Sequence, residues 1–389
     1  MKATAQIVFL LVSLPALLSA ADLPFERVIP PAGKDALAPN LCSLGDHFAL
    51  SWIERGSDGV SRLQMARWNG LDFDKKTLVA ASDRMFANWA DIPSVIEAPC
   101  GDLYAHWLDR ISTQPYAYGV RIGRSTNGGK QWKSIGWLHD DTSATEHGFV
   151  SLIPDDDHLR AFWLDGRAMA QPDGRMALRT AVLEGDQVRD EQILDDNVCT
   201  CCPTSAVRTP VGPMVVYRDR SPREIRDTSF VLRNADWWSE PAPVKADHWL
   251  MPGCPVNGPS IAAHGSLVAV SRFTVIHHEA QVVLRWFNDG SVQAGREIVL
   301  DQNGPVGRCA TVCTKDSIYT VWIGLEKDQT VLRLAEVSPT GTIMMRTTLC
   351  PIDGGPSSGM PRTLMSGGEL WITWAGSNRI HLGRIQVVD

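Results

Sequence analysis

The sequence predicts an all-β fold: a single β-propeller of seven four-stranded blades, closed by a strand from the N-terminus. Three observations predict it. An apolar strand ending in an aromatic or small landmark recurs seven times. A further strand carrying an arginine follows each landmark. No stretch has a helical period.

The landmark strands read FALSW, LYAHW, LRAFW, MVVY, VAVS, IYTVW and LWITW, and close on Trp52, Trp107, Trp163, Tyr217, Ser271, Trp322 and Trp374. Their spacings are 55, 56, 54, 54, 51 and 52 residues. The arginines are Arg67, Arg124, Arg179, Arg233, Arg285, Arg333 and Arg384, in step with the landmarks throughout. A small Ser- or Pro-rich strand precedes each landmark strand. An outer strand, such as KKTLVA, REIVLD or IMMRTTL, follows the arginine. Four short strands in each unit of roughly 50 residues is the arithmetic of a propeller blade. If one unit is miscounted, the alternative is six blades. The seventh unit lacks an outer strand before Asp389, and FERVI at 25–29 is expected to supply it. That closure leaves no open edge between first and last blades.

Residues 1–21 carry Met1-Lys2, an apolar run at 7–18 and the small residues Ser19-Ala20-Ala21. This pattern predicts a signal peptide and a periplasmic or secreted protein, with 22–389 as the propeller. The apolar run is shorter than the ~20 residues that span a bilayer, and no transmembrane segment is expected in the mature chain. The net charge of −7, with no basic block, argues against nucleic acid as a partner. Fourteen Trp against five Tyr suits both sheet packing and stacking on sugars. Nine cysteines in an exported chain predict disulfides, with at least one thiol left over.

Antiparallel alternation assigns the loops to two ends. Connections between second and third strands share one end with the connections between blades. That end gathers Asn88-Trp89-Ala90-Asp91, Thr145-Glu146-His147-Gly148, Cys199-Thr200-Cys201-Cys202, the 249–257 loop with Cys254 and Asn257, and the 304–308 loop with Arg308. Glu54, Asp109, Asp165 and Asp219 each stand two residues past a landmark. They are expected to form an arc of carboxylates around the central pit, interleaved with Arg110, Arg167 and Arg220. Such a pit would clamp an anionic ligand, because guanidinium groups bind carboxylate or sulfate through paired hydrogen bonds.

At the opposite end, between third and fourth strands of the second unit, lies Ser125-Thr126-Asn127-Gly128-Gly129-Lys130-Gln131-Trp132. This resembles the Asp-box of the sialidase-like (BNR-repeat) superfamily, S-x-D-x-G-x-x-W, with Asn in place of Asp. Degenerate copies follow other third strands: Trp68-Asn69-Gly70 with Phe73, Asn234-Ala235-Asp236 with Trp238, and Asn288-Asp289-Gly290. The segments NWADIPS, TEHGFVSL and GCPVNGP and the Cys-Cys run also look like those of a bacterial group of exported sialidase-like proteins. The resemblance spans the chain at the level of architecture. It implies a polar or anionic glycan at the pit and a candidate exo-glycosidase. In that reading Asp91 is the acid, and Tyr116 or Tyr118 with Glu146 supplies a nucleophile and its base. Trp89, Asp109, Asp165, Arg167, Asp219, Arg220, Asn257 and Arg308 are the substrate-binding candidates.

The cysteines support a second reading. A disulfide from Cys201 or Cys202 to Cys254 would fix two neighbouring loops. Alternatively Cys199, Cys201, Cys202 and Cys254 form a thiolate site for copper or zinc, with His277 or His278 from the next loop. Cys309 with Cys350, and Cys42 with Cys100, are candidate structural pairs. A non-catalytic soft-metal propeller and an envelope interaction scaffold are therefore the alternatives to the glycan reading.

Overall fold

The computed structural model describes residues 24–288 and 291–387. The expected signal peptide at 1–21 and Asp289-Gly290 of the last degenerate box lie outside the described residues. Seven antiparallel sheets follow one another along the chain, at 36–82, 94–137, 147–195, 205–243, 260–301, 305–351 and 362–386. The helical pieces among the described residues are three single 3-10 turns, and none is long and apolar enough to cross a membrane. The seven-blade count holds, and the six-blade alternative falls.

The seventh sheet takes its outer strand from the other end of the chain. Glu26–Val28 pairs antiparallel with Arg379–Gln386, in the register Glu26↔Arg384 and Val28↔Leu382. Arg384 bonds Glu26 at 2.9 Å, and the Arg27 guanidinium sits 4.4 Å from the Trp374 ring. Gly383 permits this approach: a Cβ there would lie 2.4 Å from Cζ of Phe25.

The landmarks form the packing between blades. Trp52, Trp163, Trp322 and Trp374 are all buried, and replacing such a ring by Ala costs about 3–5 kcal/mol. Part of the arginine series ties neighbouring blades together, while Arg179, Arg285 and Arg384 bond within their own blades. Arg67 donates to Gly128 O of blade two at 3.0 Å, Arg124 bonds Asp186 of blade three at 3.0 Å, and Arg333 bonds Asp301 of blade five at 2.5 Å. Cys201–Cys254 is a disulfide with Cα atoms 6.0 Å apart. The pairings of Cys309 with Cys350 and of Cys42 with Cys100 are corrected, because all four are free. Cys42 and Cys309 pack into different apolar clusters, and Cys100 is exposed on a turn.

Candidate functional site

The innermost strands of all seven blades surround an axial channel of about 310 Å³. Its wall is mostly small and polar: Asn40, Ser94, Ser151, Ser205, Ser260 and Thr311. Two arginines, Arg308 and Arg362, break that pattern. Neither has a carboxylate within ion-pair distance among the described residues. Arg308 donates to Ser358 Oγ at 2.8 Å and to the carbonyls of Gly355 and Gly359. Burial lowers both guanidinium groups to about 10, so an anion in the channel would meet unneutralised positive charge.

Bulges aim the groups at the mouth. The first strands of blades one, three and six each shift register near their start. Ala38, Phe149 and Arg308 sit there with φ of 53°, 54° and 56°, a conformation costly for residues with a Cβ. At Phe149 the bulge turns the backbone N–H onto Asp91 Oδ2 at 2.7 Å. Gly148 makes room for it, since a Cβ there would lie 2.1 Å from that oxygen and 3.2 Å from Cε2 of Tyr118.

Asp91, Glu146 and Tyr118 meet behind the channel wall, from two inter-blade connections and the start of the strand Tyr118–Ser125. None of the three lines the channel or the cleft itself, but Asp91 directly precedes the lining residue Ile92. Tyr118 donates its O–H to Glu146 Oε1. The phenol ring is buried and stacks on Phe86 with centroids 4.2 Å apart. Burial, with the Glu146 charge adding to it, pushes Asp91 up to about 7. Burial also raises Glu146 to about 7, against the hydrogen bond from Tyr118. Burial and the neighbouring carboxylates hold the Tyr118 phenol well above its usual range. The two carboxyls therefore titrate near neutrality, and as interacting groups they share those steps. Tyr116 is not part of this group. It is 65% exposed on the preceding turn.

Trp89 stands beside the channel with the Arg308 guanidinium 4.4 Å from its ring. It also lines a second cleft of about 610 Å³ between blades seven, one and two, with Arg55, Asn88 and Arg379. Asn257 serves as a brace: its Nδ2 donates to Val306 O at 2.8 Å, and its Oδ1 accepts the Arg308 N–H at 2.9 Å.

The expected arc is placed differently. None of Glu54, Asp109, Asp165 or Asp219 lines the channel or the cleft. A two-residue step along a strand returns each carboxylate to the side of its own landmark. Trp52 Nε1 donates to Glu54 and Trp163 Nε1 to Asp165, both at 2.9 Å. Glu54 also bonds Lys76 at 2.8 Å, and Asp109 lies 3.5 Å from Arg121. Burial works to raise Asp165, but hydrogen bonds from His147, Arg167 and Trp163 outweigh it and hold the carboxyl well below its usual range. Asp219 differs: burial and the Asp195 charge push it up to about 6. Arg167 is met by Asp165, Asp140 and Glu191, and Arg220 by Glu224. Their charge is spent within the protein. His147 is buried between Asp141 and Asp165 and stacks on His139 at 4.0 Å.

The sulfur cluster lies on the loops entering blades four and five. Cys199 Sγ is 3.5 Å from Cys202 Sγ and 3.8 Å from Cys201 Sγ. His277 and His278 are exposed at a hairpin tip, outside this cluster.

Sequence reasoning missed Arg362, Phe86 and Arg226. Arg362 left a signal. It pairs with Thr373, the residue before a landmark, and the equivalent partners in blades one to four are Asn40, Ser94, Ser151 and Ser205. An arginine among small channel-facing residues is an anomaly legible in sequence.

No family model and no curated protein matches the chain. Solved structures share its fold. An ancestral GH74 enzyme aligns with a TM-score of 0.54 at 10% identity, covering 93% of this chain and 48% of that one. The Penicillium chrysogenum α-L-arabinanase complexed with arabinobiose gives 0.50 at 14% identity, over 76% of this chain and 93% of that one. A mutant of the Fusarium graminearum α-L-arabinofuranosidase in complex with an iminosugar inhibitor gives 0.50 at 12% identity, over 94% and 96%. The chain thus has a propeller fold of the kind found in glycoside hydrolases. At these identities the likeness is one of fold.

Proposed function

We propose that the protein is an exported glycan-binding propeller that acts as an exo-glycosidase on an anionic sugar held at the channel mouth. The observation that carries this reading is a pair of carboxyls raised to about 7, Asp91 and Glu146, with Arg362 near enough for its charge to act on Asp91, and with neither Arg308 nor Arg362 in an ion pair among the described residues. Arg308 and Arg362 would take the sugar's anionic group. Trp89 would offer its ring to the sugar face. Asp91, protonated up to about 7, would give its proton to the leaving oxygen. Glu146 is the more exposed carboxyl and would face the anomeric carbon as base or nucleophile. Tyr118, buried and donating to Glu146, would orient that carboxylate.

The test is a panel of aryl glycosides, anionic and neutral, turned over by the mature protein. Asp91→Asn and Glu146→Gln should each lower kcat/KM by roughly 10²–10⁴-fold. Arg362→Ala should remove the preference for anionic substrates. Unchanged turnover in both carboxyl variants sinks the assignment. The near-complete burial of Asp91, 2% exposed, favours a second reading, in which the pit binds the glycan without cleaving it. Calorimetric binding without turnover across the panel would select that one.

A further inference from the structure

Two groups of cysteines differ in their surroundings. Cys42, Cys309 and Cys313 lie within apolar clusters, where burial pushes each thiol up to about 12. They behave as small hydrophobic residues. Cys199, Cys201 and Cys202 are set differently. Their three sulfurs all lie within 4.8 Å of one another, and Cys201 is joined to Cys254.

Donors surround these sulfurs. Arg226 Nη1 donates to Cys199 Sγ at 3.0 Å, and the Asn257 N–H donates to Cys202 Sγ at 3.3 Å. Arg218 is 1% exposed, and its guanidinium reaches only carbonyls: those of Asn257, Arg226 and Phe273. No carboxylate among the described residues pairs with it. A disulfide staple uses two cysteines. Cys199 and Cys202 are surplus to it, yet they are buried against it and bonded by charged and backbone donors.

We propose that Cys199, Cys201 and Cys202 form a thiolate site for copper(I), which the Cys201–Cys254 disulfide closes and its reduction opens. Soft sulfur ligands select copper(I) over hard cations. With metal–sulfur bonds of about 2.3 Å, three sulfurs round one ion lie roughly 4 Å apart. The existing separations of 3.5 and 3.8 Å need little adjustment. Three thiolates around a monovalent ion leave a double negative charge, which Arg226 and Arg218 face. Structural zinc sites take four protein ligands, and the fourth cysteine, Cys254, is exposed.

The redox step balances. A dithiol donor passes two electrons and two protons to the Cys201–Cys254 bond and leaves as its own disulfide. Copper(I) then bonds to three sulfurs and displaces the protons those thiols still hold. This proposal is independent of the glycan reading.

The experiment titrates the reduced full-length mature protein, under anaerobic conditions, with copper(I) presented as its bicinchoninate complex. One equivalent should pass from chelator to protein. X-ray absorption should show a sulfur-only shell at about 2.3 Å. Cys199→Ser and Cys202→Ser should abolish the transfer, and Cys42→Ser should leave it intact. Arg226→Met should weaken binding by about 10–100-fold, as expected for a group bonded to a ligand. Protein with its disulfide intact should take no copper, and zinc(II) should not displace bound copper(I). The proposal is overturned if the chelator keeps its copper, or if Cys199→Ser takes copper as the unaltered protein does. If the serine variants do not fold, the absorption spectrum of the unaltered protein decides, and a nitrogen or oxygen shell rejects the site. Uptake by the oxidised protein overturns the gate, and displacement by zinc overturns the choice of metal.

Discussion

Two sets of carboxyl groups sit at the same end of the disc and behave in opposite ways. Asp91 and Glu146 come from connections between blades and are pushed up to about 7. Glu54 and Asp165 end landmark strands and are held below their usual ranges despite burial. Both sets lose water. The difference lies in the partners. Asp165 accepts bonds from Trp163, from Arg167 and from the Arg167 backbone. Asp91 accepts one bond, from Phe149 N. Burial with cationic partners makes a structural ion pair, while burial without them leaves a carboxyl that exchanges protons near neutrality.

The comparison breaks first on stability. Asp165→Ala leaves the Arg167 and His147 side chains without their central acceptor, and should cost about 3–5 kcal/mol in denaturant unfolding. Asp91→Asn should cost far less, because the native carboxyl is already poorly solvated and bound to one donor. Equal losses in the two variants would erase the distinction. Activity should show the reverse order. Among variants that remain folded, Asp91→Asn loses turnover while Glu54→Gln keeps it.

The pH dependence sharpens the contrast. A carboxyl whose folded pKa is raised holds its proton better when folded. Its contribution is present below the ordinary range of about 4 and is lost as pH rises through about 7. Asp165 and Glu54 are lowered, so theirs is present above that range and is lost as pH falls below it. Unfolding free energy should therefore decline between pH 5 and 8 through the mouth pair. The Asp91→Asn, Glu146→Gln double variant should flatten that decline and leave the acid limb unchanged. A variant with the unaltered slope would disprove the raised values. The smallest effect belongs to Glu54. Its partner Lys76 is partly exposed, so Glu54→Gln should cost only about 1 kcal/mol, and less at high salt.

The architecture was legible because it repeats. Seven landmarks and seven arginines fix strand order, and the orphaned third strand of the last unit demanded a partner, which 25–29 supplies. The site was legible in part. Asp91, Glu146 and Tyr118 were picked out by their loops, and the structure brings all three together. Tyr116, one turn residue away from the same strand, points elsewhere because its φ is 61° and its ring is in solvent. The carboxylate arc read as a binding ring because its spacing is regular. In two of the four, Glu54 and Asp165, that regularity goes with a bond to the landmark Trp, which is a strand-level constraint and not a ligand-level one.

The sequence alone determined the blade count, the closing strand and the division of loops between two faces. These depend on periodicity along the chain, which local residue choice encodes directly. Only the tertiary structure decided which charges are met and which are not. Arg167 and Arg308 look alike as loop arginines, yet one is neutralised by three carboxylates and the other faces a channel beside Trp89. Cys42 and Cys199 look alike as buried thiols, yet one lies in an apolar cluster and the other under a guanidinium. The energy of a charge depends on what stands within a few ångströms of it, and those neighbours are distant in sequence: Arg226 is 27 residues from Cys199, and Ser358 is 50 from Arg308.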